Sequence, residues 1–321
     1  MLELGRMENG TGNLQHRGES LDLELVTEAI NGDRRAIARV LSGLENRSFT
    51  LKQIKAKFPS IFIISEQDKW SSIAITGAPG VGKSCLIDKI LIDWSSKGIK
   101  TALLAIDPSS PRTGGALLGD RVRITAIDNE QYKDLIYIRS IATRKSSGSA
   151  PLIVSDMVEF LSAIGWQRVI IETVGSGQSE VRCAAITDRI VVVEGPARGD
   201  GVQAEKAGLL ELADAVIVNK SDIAGASQHA SEIKESFELG LGQTPPIILT
   251  SALLGDGIEQ ASSVLLELED TGRSKRAKWR ERLLAEYERK ILESDKLDEI
   301  LEKLAIGSMS IEDALRVLGD D

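Results

Sequence analysis

The octet Gly77-Ala78-Pro79-Gly80-Val81-Gly82-Lys83-Ser84 has the spacing G-x-x-x-x-G-K-S. Glycines at these positions let consecutive backbone N–H groups converge on phosphate oxygens, and a helix starting just after them adds its positive end at the same point. Lys83 is then the side chain that reaches β- and γ-phosphates, and the Ser84 hydroxyl is a ligand for Mg²⁺. The octet follows the apolar run Ser72-Ile73-Ala74-Ile75-Thr76 and precedes Cys85-Leu86-Ile87-Asp88-Lys89-Ile90-Leu91, a strand and a helix by pattern. That setting separates a phosphate loop from a chance glycine-rich turn and predicts binding of a nucleoside triphosphate.

Asn219-Lys220-Ser221-Asp222 follows the run Ala213-Asp214-Ala215-Val216-Ile217-Val218. At the end of a strand, the Asp222 carboxylate can accept from both the N1–H and the exocyclic amine of guanine. Adenine has no N1–H and would leave a desolvated acceptor unpaired, which discriminates strongly between the bases. The Lys220 stem would pack on the base face, and Asn219 would brace the loop. Thr250-Ser251-Ala252, after Ile247-Ile248-Leu249, fits the short loop that backs a guanine, with Ser251, Ala252 and Leu253 as candidate contacts. Alone, N-K-S-D also serves as a helix cap. Downstream of a phosphate loop it selects GTP and GDP over adenine nucleotides.

Two more apolar runs end in carboxylates. Ala105-Ile106-Asp107-Pro108 sets Asp107 where Mg²⁺ and the attacking water belong, although Asp-Pro also opens turns. The glycine-rich stretch after it, through Gly119, Asp120 and Arg121, can change conformation as a γ-phosphate sensor must. Val169-Ile170-Ile171 leads into Glu172-Thr173-Val174-Gly175-Ser176-Gly177-Gln178-Ser179-Glu180. Glu172 takes the strand-end place from which a carboxylate holds Mg²⁺ through water, and the Gly175 N–H is placed to meet the γ-phosphate. Gln178 either orients water or caps a helix beginning at Ser179.

Groups this far apart in the chain need a scaffold that gathers strand ends. From 68 to 265, strand-like runs near 72–76, 101–106, 135–139, 168–173, 189–194, 214–219 and 246–250 alternate with helical segments. Such alternation predicts an α/β fold: a P-loop NTPase G domain with a mostly parallel sheet covered on both faces. Residues 1–18 are polar and Gly/Asn-rich and read as disordered. The stretch 19–67 reads as an N-terminal helical extension, with helices over Leu21–Ile30, Asp33–Leu44 (Asp33 as its N-cap) and Leu51–Phe58. Beyond 266 a charged helical arm carries Trp279, Leu283, Leu284, Tyr287, Ile291 and Leu292 as one apolar stripe, suited to dimerisation or to packing on its own domain.

The composition sets outer bounds. Of 321 residues, 42% are hydrophobic, enough for a normal core, while 4% are aromatic and the net charge is −9. Few aromatics and an acidic balance argue against a nucleic-acid binder. Cys85 and Cys183 are too few for a disulfide framework, and no apolar run approaches the roughly 18–20 residues of a membrane span. The expectation is a cytoplasmic protein bound to no membrane.

The phosphate loop, D-P-S-S-x-R-T-G-G-x-L-L-G-D-R from Asp107, E-T-V-G-x-G-Q-S-E from Glu172 and N-K-x-D from Asn219, in this order, resemble the MeaB/ArgK family. The family includes the human methylmalonic aciduria type A protein and comprises GTPases that chaperone adenosylcobalamin-dependent acyl-CoA mutases. The resemblance runs from Leu21 to the C-terminus and implies a G domain, an N-terminal helical extension and a C-terminal dimerisation arm. By position, Asp107 to Asp120 is the first switch, with both carboxylates candidates for metal and catalysis, and Glu172 to Glu180 is the second. A third switch corresponds to Gly195 through Gly208, where Gly195-Pro196, Gly201 and Ala207 depart from the family pattern. Cys85 replaces the usual threonine beside the α-phosphate. The function implied is a slow GTPase (Arg112 and Arg121 being the only candidates for an arginine finger) that gates adenosylcobalamin delivery to a mutase and protects it. Nickel insertion is a competing reading, though His16 and His229 lie far from either cysteine in sequence; His229 reads as an exposed helix residue. A kinase linked to amino-acid transport is a third.

Overall fold

The computed structural model describes residues 21–63, 70–108, 124–143, 150–173, 182, 186–196, 210–239, 243–270, 272 and 275–319. The stretch 1–18, read as disordered, lies outside them. The chain forms two compact units, one up to Pro59 and one from Ser60.

The first unit contains α1 (Leu23–Ile30), α2 (Arg34–Asn46) and α3 (Leu51–Lys57). Each starts on a cap written in the sequence. Asp22 accepts from the Leu25 N–H at 3.0 Å, Asp33 from the Ala36 N–H at 2.7 Å, and Thr50 and Gln53 form a reciprocal capping box. The Asp33 cap is the expected one. The first helix begins at Leu23 and not at Leu21, because Asp22 takes the cap position. Val26, Ala29, Ile37, Val40 and Leu41 form the buried faces at helical spacing. Gly43 lets Phe49 lie directly against α2: a Cβ there would stand 2.3 Å from the ring.

The second unit is built on seven strands: β1 (Ser72–Thr76), β2 (Thr101–Pro108), β3 (Ile136–Thr143), β4 (Arg168–Thr173), β5 (Arg189–Glu194), β6 (Ala215–Asn219) and β7 (Ile247–Thr250). They pair in the order β3-β2-β4-β1-β5-β6-β7, every pairing parallel. Around them run α4 (Lys83–Ser96), α5 (Ala150–Ala163), α6 (Ala226–Glu238) and α7 (Ile258–Leu266), followed by α8 (Lys275–Glu293), α9 (Leu297–Ala305) and α10 (Ile311–Gly319). Strands β1, β5 and β6 are buried at every position, which is why their sequences are continuous apolar runs and not alternating ones. On one face Leu86, Ile90 and Trp94 of α4 and Leu265 of α7 pack with Ile73, Ile75 and Val191. On the other, Ile233 and Phe237 of α6 pack with Ile190, Val192 and Val216.

Strands β2 and β3 run further than their apolar stretches suggest. They stay paired to Pro108↔Thr143, and the polar residues at their ends hide that extension from a hydrophobicity reading. Strand β1 lies between β4 and β5, so the order of the sheet reverses on either side of it. The carboxyl ends of β1, β4 and β5 therefore open a crevice next to the loop that leaves β1.

Helix α8 is inverted relative to a helix packed by its apolar stripe. Trp279, Leu283, Leu284 and Tyr287 are exposed, Leu283 to 72%. A polar side made by Lys278, Glu281, Arg282 and Glu288 faces the unit. Lys278 Nζ donates to the Asp188 carbonyl at 2.9 Å and to Asp214 Oδ2 at 3.0 Å, both lysine and aspartate being buried. Arg182 reaches Glu281 at 3.2 Å and Glu288 at 2.9 Å, and Arg282 donates to the Ile186 carbonyl. Burial would lower the pKa of Arg182, but the two glutamates outweigh it and hold the group more firmly charged. Helices α9 and α10 close on Ile300, Ala314 and Leu318, with Met309 packed against them. Among the described residues no helix is long and apolar enough to cross a membrane.

Candidate nucleotide site

The loop leaving β1 has the backbone that its glycines were expected to allow. Gly77 has φ 143°, and a Cβ there would stand 2.0 Å from the Val193 carbonyl oxygen, so only glycine fits against β5. Gly82, at φ 93°, precedes α4 without a side-chain cap, leaving that helix end to an external acceptor. Lys83 is buried at the first position of α4, and its Nζ donates to the Gly77 and Ala78 carbonyls at 2.7 and 3.1 Å. The ammonium thus lies folded over the loop. Ser84 Oγ donates to Glu172 Oε1 at 2.7 Å. Glu172 is buried near the end of β4, in register with Ile75 of β1 and Ala105 of β2.

The base motif and the phosphate loop form one hydrogen-bonded assembly. Asn219, at the end of β6, donates from Nδ2 to the Val81 carbonyl at 2.9 Å. Its Oδ1 accepts from the Thr250 hydroxyl at 3.2 Å and from the Ala252 N–H at 3.0 Å. Lys220 adopts the left-handed φ of 63°, unusual outside glycine, and its Nζ reaches the Gly80 carbonyl at 2.7 Å. A Cβ on Gly82 would come within 2.5 Å of Asn219 Nδ2, so this glycine also keeps the two motifs in contact. The Asp222 carboxylate is exposed and accepts from Ser251 Oγ at 2.5 Å. Ser251 and Ala252 are buried, whereas Leu253 is 80% exposed. Cys85 is exposed, with Sγ 3.7 Å from the Ala252 carbonyl, so the first turn of α4 meets the loop after β7.

The structure therefore brings together Gly77 to Cys85, Glu172, Asn219, Lys220, Asp222, Ser251 and Ala252. Asp107 takes its place in the backbone of β2 opposite Ala142. Its side chain, and the whole of Asp120, Gly175 and Gln178, lie outside the described residues. A cradle closed by glycines, a lysine and a hydroxyl paired with a buried carboxylate suits a Mg²⁺-bound polyphosphate: hard oxygen donors stand next to converging N–H groups. Ser84 and Glu172 are the described residues that would hold the cation.

Two features escaped the motif reading. His229 is not the exposed helix residue expected: it is half-buried on α6, with Nε2 3.9 Å from Glu194 Oε2 and Nδ1 3.8 Å from Glu232 Oε2. It lies on the side of α6 turned to β5, which the short sequence window did not reveal. Asp88 belongs to no motif, yet it is buried on α4 and accepts from Thr125 and Ala126. Its one signal is a carboxylate inside the apolar stretch from Leu86 to Leu91.

A family model described as methylmalonyl-CoA mutase-associated GTPase MeaB matches residues 37–304. A Pyrococcus abyssi protein named by inference as a GTPase is 37% identical over 262 residues, 78% of this chain and 78% of that protein. A fused isobutyryl-CoA mutase of Cupriavidus metallidurans is 32% identical over 249 residues, 74% of this chain and 22% of that protein. Among solved structures, an LAO/AO transport system kinase superposes with a TM-score of 0.61 at 20% identity, over 94% of this chain and 99% of that one. That likeness is one of fold.

Proposed function

Because this chain belongs to the MeaB family of methylmalonyl-CoA mutase-associated GTPases, we propose that it uses GTP to gate adenosylcobalamin delivery to a cobalamin-dependent acyl-CoA mutase and to protect that enzyme. The observation that carries the nucleotide half of this reading is the union of the two motifs: Asn219 and Lys220 bond the carbonyls of Val81 and Gly80. Base and phosphate recognition then rest on one rigid frame, and a guanine accepted by Asp222 comes with its phosphates already aligned to Lys83 and Ser84. Asp222 is exposed in the protein, and the base itself would take it out of water.

Gly77 to Ser84 and Lys83 would hold the phosphates, and Ser84, Glu172, Asp107 and Asp120 would hold Mg²⁺, which supplies charge neutralisation at the β- and γ-oxygens. Glu172 keeps the Ser84 hydroxyl oriented, the Gly175 N–H would meet the γ-phosphate, and Gln178 would either orient the water or cap the helix after it. Lys83 leaves its loop carbonyls for the phosphates when nucleotide enters. Slow intrinsic turnover belongs to this reading, with Arg112 and Arg121 the candidate arginine fingers in the sequence.

The fused isobutyryl-CoA mutase among the relatives supports an acyl-CoA mutase as the partner. The outward apolar face of α8 supports a homodimer through the C-terminal helices. The decisive experiment is co-purification with an adenosylcobalamin-dependent acyl-CoA mutase under GDP and under a non-hydrolysable GTP analogue, with cofactor loading followed by absorbance. Association or loading that depends on the nucleotide is the expected result. No association under either nucleotide would end the mutase reading.

A further inference from the structure

His229, one turn into α6, has a carboxylate facing each ring nitrogen: Nε2 stands 3.9 Å from Oε2 of Glu194 and Nδ1 3.8 Å from Oε2 of Glu232. Both nitrogens are buried, and neither finds a hydrogen-bond partner among the described residues. A neutral imidazole carries one N–H and one lone pair, so between two acceptors it serves one and turns its lone pair on the other. The imidazolium carries two N–H groups and suits both. Closing each gap by about 1 Å would give charge-assisted hydrogen bonds of ordinary length. Glu194 comes from β5 and Glu232 from α6 itself. Strands β6 and β7 also pack on α6 and contain no titratable residue. The remaining charged groups of β5, the base loop and α6 have other partners: Arg189 the Leu268 carbonyl, Lys220 Gly80, Asp222 Ser251, and Lys234 Glu238. Glu235 lies exposed further along the helix.

Glu194 is the last residue of β5 and is buried, and both of its chain neighbours touch the phosphate loop. The Val193 carbonyl lies against Gly77, where a Cβ would stand 2.0 Å from it, and a Cβ on Gly195 would stand 3.7 Å from Val81. Helix α6 in turn begins just after the base motif. We propose that His229 is a positioning residue for the nucleotide site and that it acts in its protonated form. Bonded to Glu194, the ring fastens the end of β5 to α6, so the wall behind the phosphate loop is held from the base side as well. A loop held in place has less freedom to lose when phosphates enter, and nucleotide binds more tightly with the proton on. The effect is shared by GDP and GTP, since both fill the same cradle. The inference rests on reading Gly77 to Ser84 as the phosphate loop of a GTP site. A purely structural His229 would change affinity by the same factor at every pH.

The test titrates GDP into the full chain and into His229→Gln and Glu194→Gln, from about pH 8 down to about pH 5.5, the range in which imidazoles gain a proton. The terminal phosphate of GDP gains a proton over part of that range too, equally for every variant, so parent and variant are compared at each pH. At the acid end the parent should bind GDP at least about threefold more tightly than His229→Gln, a fraction of what a hydrogen bond between charged groups can supply. At the alkaline end the two should bind alike. Glu194→Gln removes the charge that the ring meets on β5 and should flatten the profile in the same way; it decides the matter if His229→Gln does not fold. Profiles that run parallel in parent and variant overturn the role of His229 while nucleotide binding by the parent stands. A parent that binds no GDP at any pH removes the inference and the reading beneath it together.

Discussion

The hydroxyl of Ser84 donates to the carboxylate of Glu172 at 2.7 Å, joining the first turn of α4 to the end of β4. The two residues lie far apart in the chain, one in the phosphate loop and one at the head of the stretch that the sequence reads as the second switch. The parallel sheet brings them together because β4 pairs directly with β1, placing Glu172 opposite Ile75.

The pair predicts how Glu172→Gln behaves. The amide keeps the shape and can still accept from Ser84, but it removes the charge that would neutralise and orient a hydrated cation. Turnover should fall by at least about tenfold while GDP affinity changes little, since the loop supplies most of the binding and the metal site most of the catalysis. Lys83→Ala should instead abolish productive triphosphate binding. Steady-state hydrolysis across a magnesium series, with nucleotide titration alongside, checks both. An unchanged rate and magnesium dependence in Glu172→Gln would show that the carboxylate is no part of the metal site.

Base selection gives the second prediction. Ser251 Oγ holds the Asp222 carboxylate at 2.5 Å, so the acceptor is positioned before any base arrives. Asp222→Asn should weaken GTP binding by at least about 2 kcal/mol, because guanine's two donors lose a charged acceptor. It should also favour xanthine nucleotides, whose C2 oxygen can accept from the new amide. Competition between GTP and XTP on the variant measures the switch. Guanine affinity equal to that of the wild type would withdraw the N-K-x-D assignment.

Much of this site was legible in the sequence because each part is local. A phosphate loop is a continuous octet with fixed spacing, and the strand ends at Glu172 and Asn219 are marked by apolar runs that stop at a polar residue. Strands β1, β5 and β6 were legible for the same reason, since burial on both faces makes them uninterrupted. What could not be read is long-range. Nothing near Asn219 says that its amide bonds Val81, and nothing near Asp88 says that Thr125 and Ala126 fold back onto it. The stripe on α8 shows the limit most clearly. Its spacing announces an apolar face but not its direction, which is set by the buried Lys278–Asp214 pair and by the Arg182 clamp on Glu281 and Glu288.

Asp188 supplies a prediction about pH. Burial alone would raise its pKa, but the N–H groups and hydroxyls of Ser71 and Ser72 all donate to Oδ2 and hold the carboxyl below the ordinary aspartate range. A pKa lower in the folded than in the unfolded state stabilises the protein fully above about pH 3.9, the unperturbed value, and the contribution is lost as pH falls through the lowered one. Asp188→Asn cannot titrate, so its acid limb should be flatter than that of the parent. Thermal midpoints of both proteins, taken from neutral pH down to about pH 3, make the comparison. Parallel curves would show that Asp188 does not govern the acid transition.

The last prediction concerns α8. Four of its charged residues are turned inward: Lys278 to Asp214, Glu281 and Glu288 to Arg182, and Arg282 to the Ile186 carbonyl. That leaves Trp279, Leu283, Leu284 and Tyr287 facing water over several turns, an arrangement that soluble proteins rarely keep unless another surface covers it. In a two-fold pair each contact is made twice, so one charge placed in the stripe acts on both halves of the interface. Leu283→Glu should therefore convert a dimer into monomers. Leu283 is 72% exposed, so the substitution leaves no cavity in the fold, and the variant should bind GTP as the parent does. Sedimentation at micromolar concentration, with nucleotide titration on the same samples, separates the outcomes. A parent that is already monomeric would end the dimer reading and leave the exposed stripe to some other surface. Loss of GTP binding in the variant would instead show that α8 supports the nucleotide unit directly.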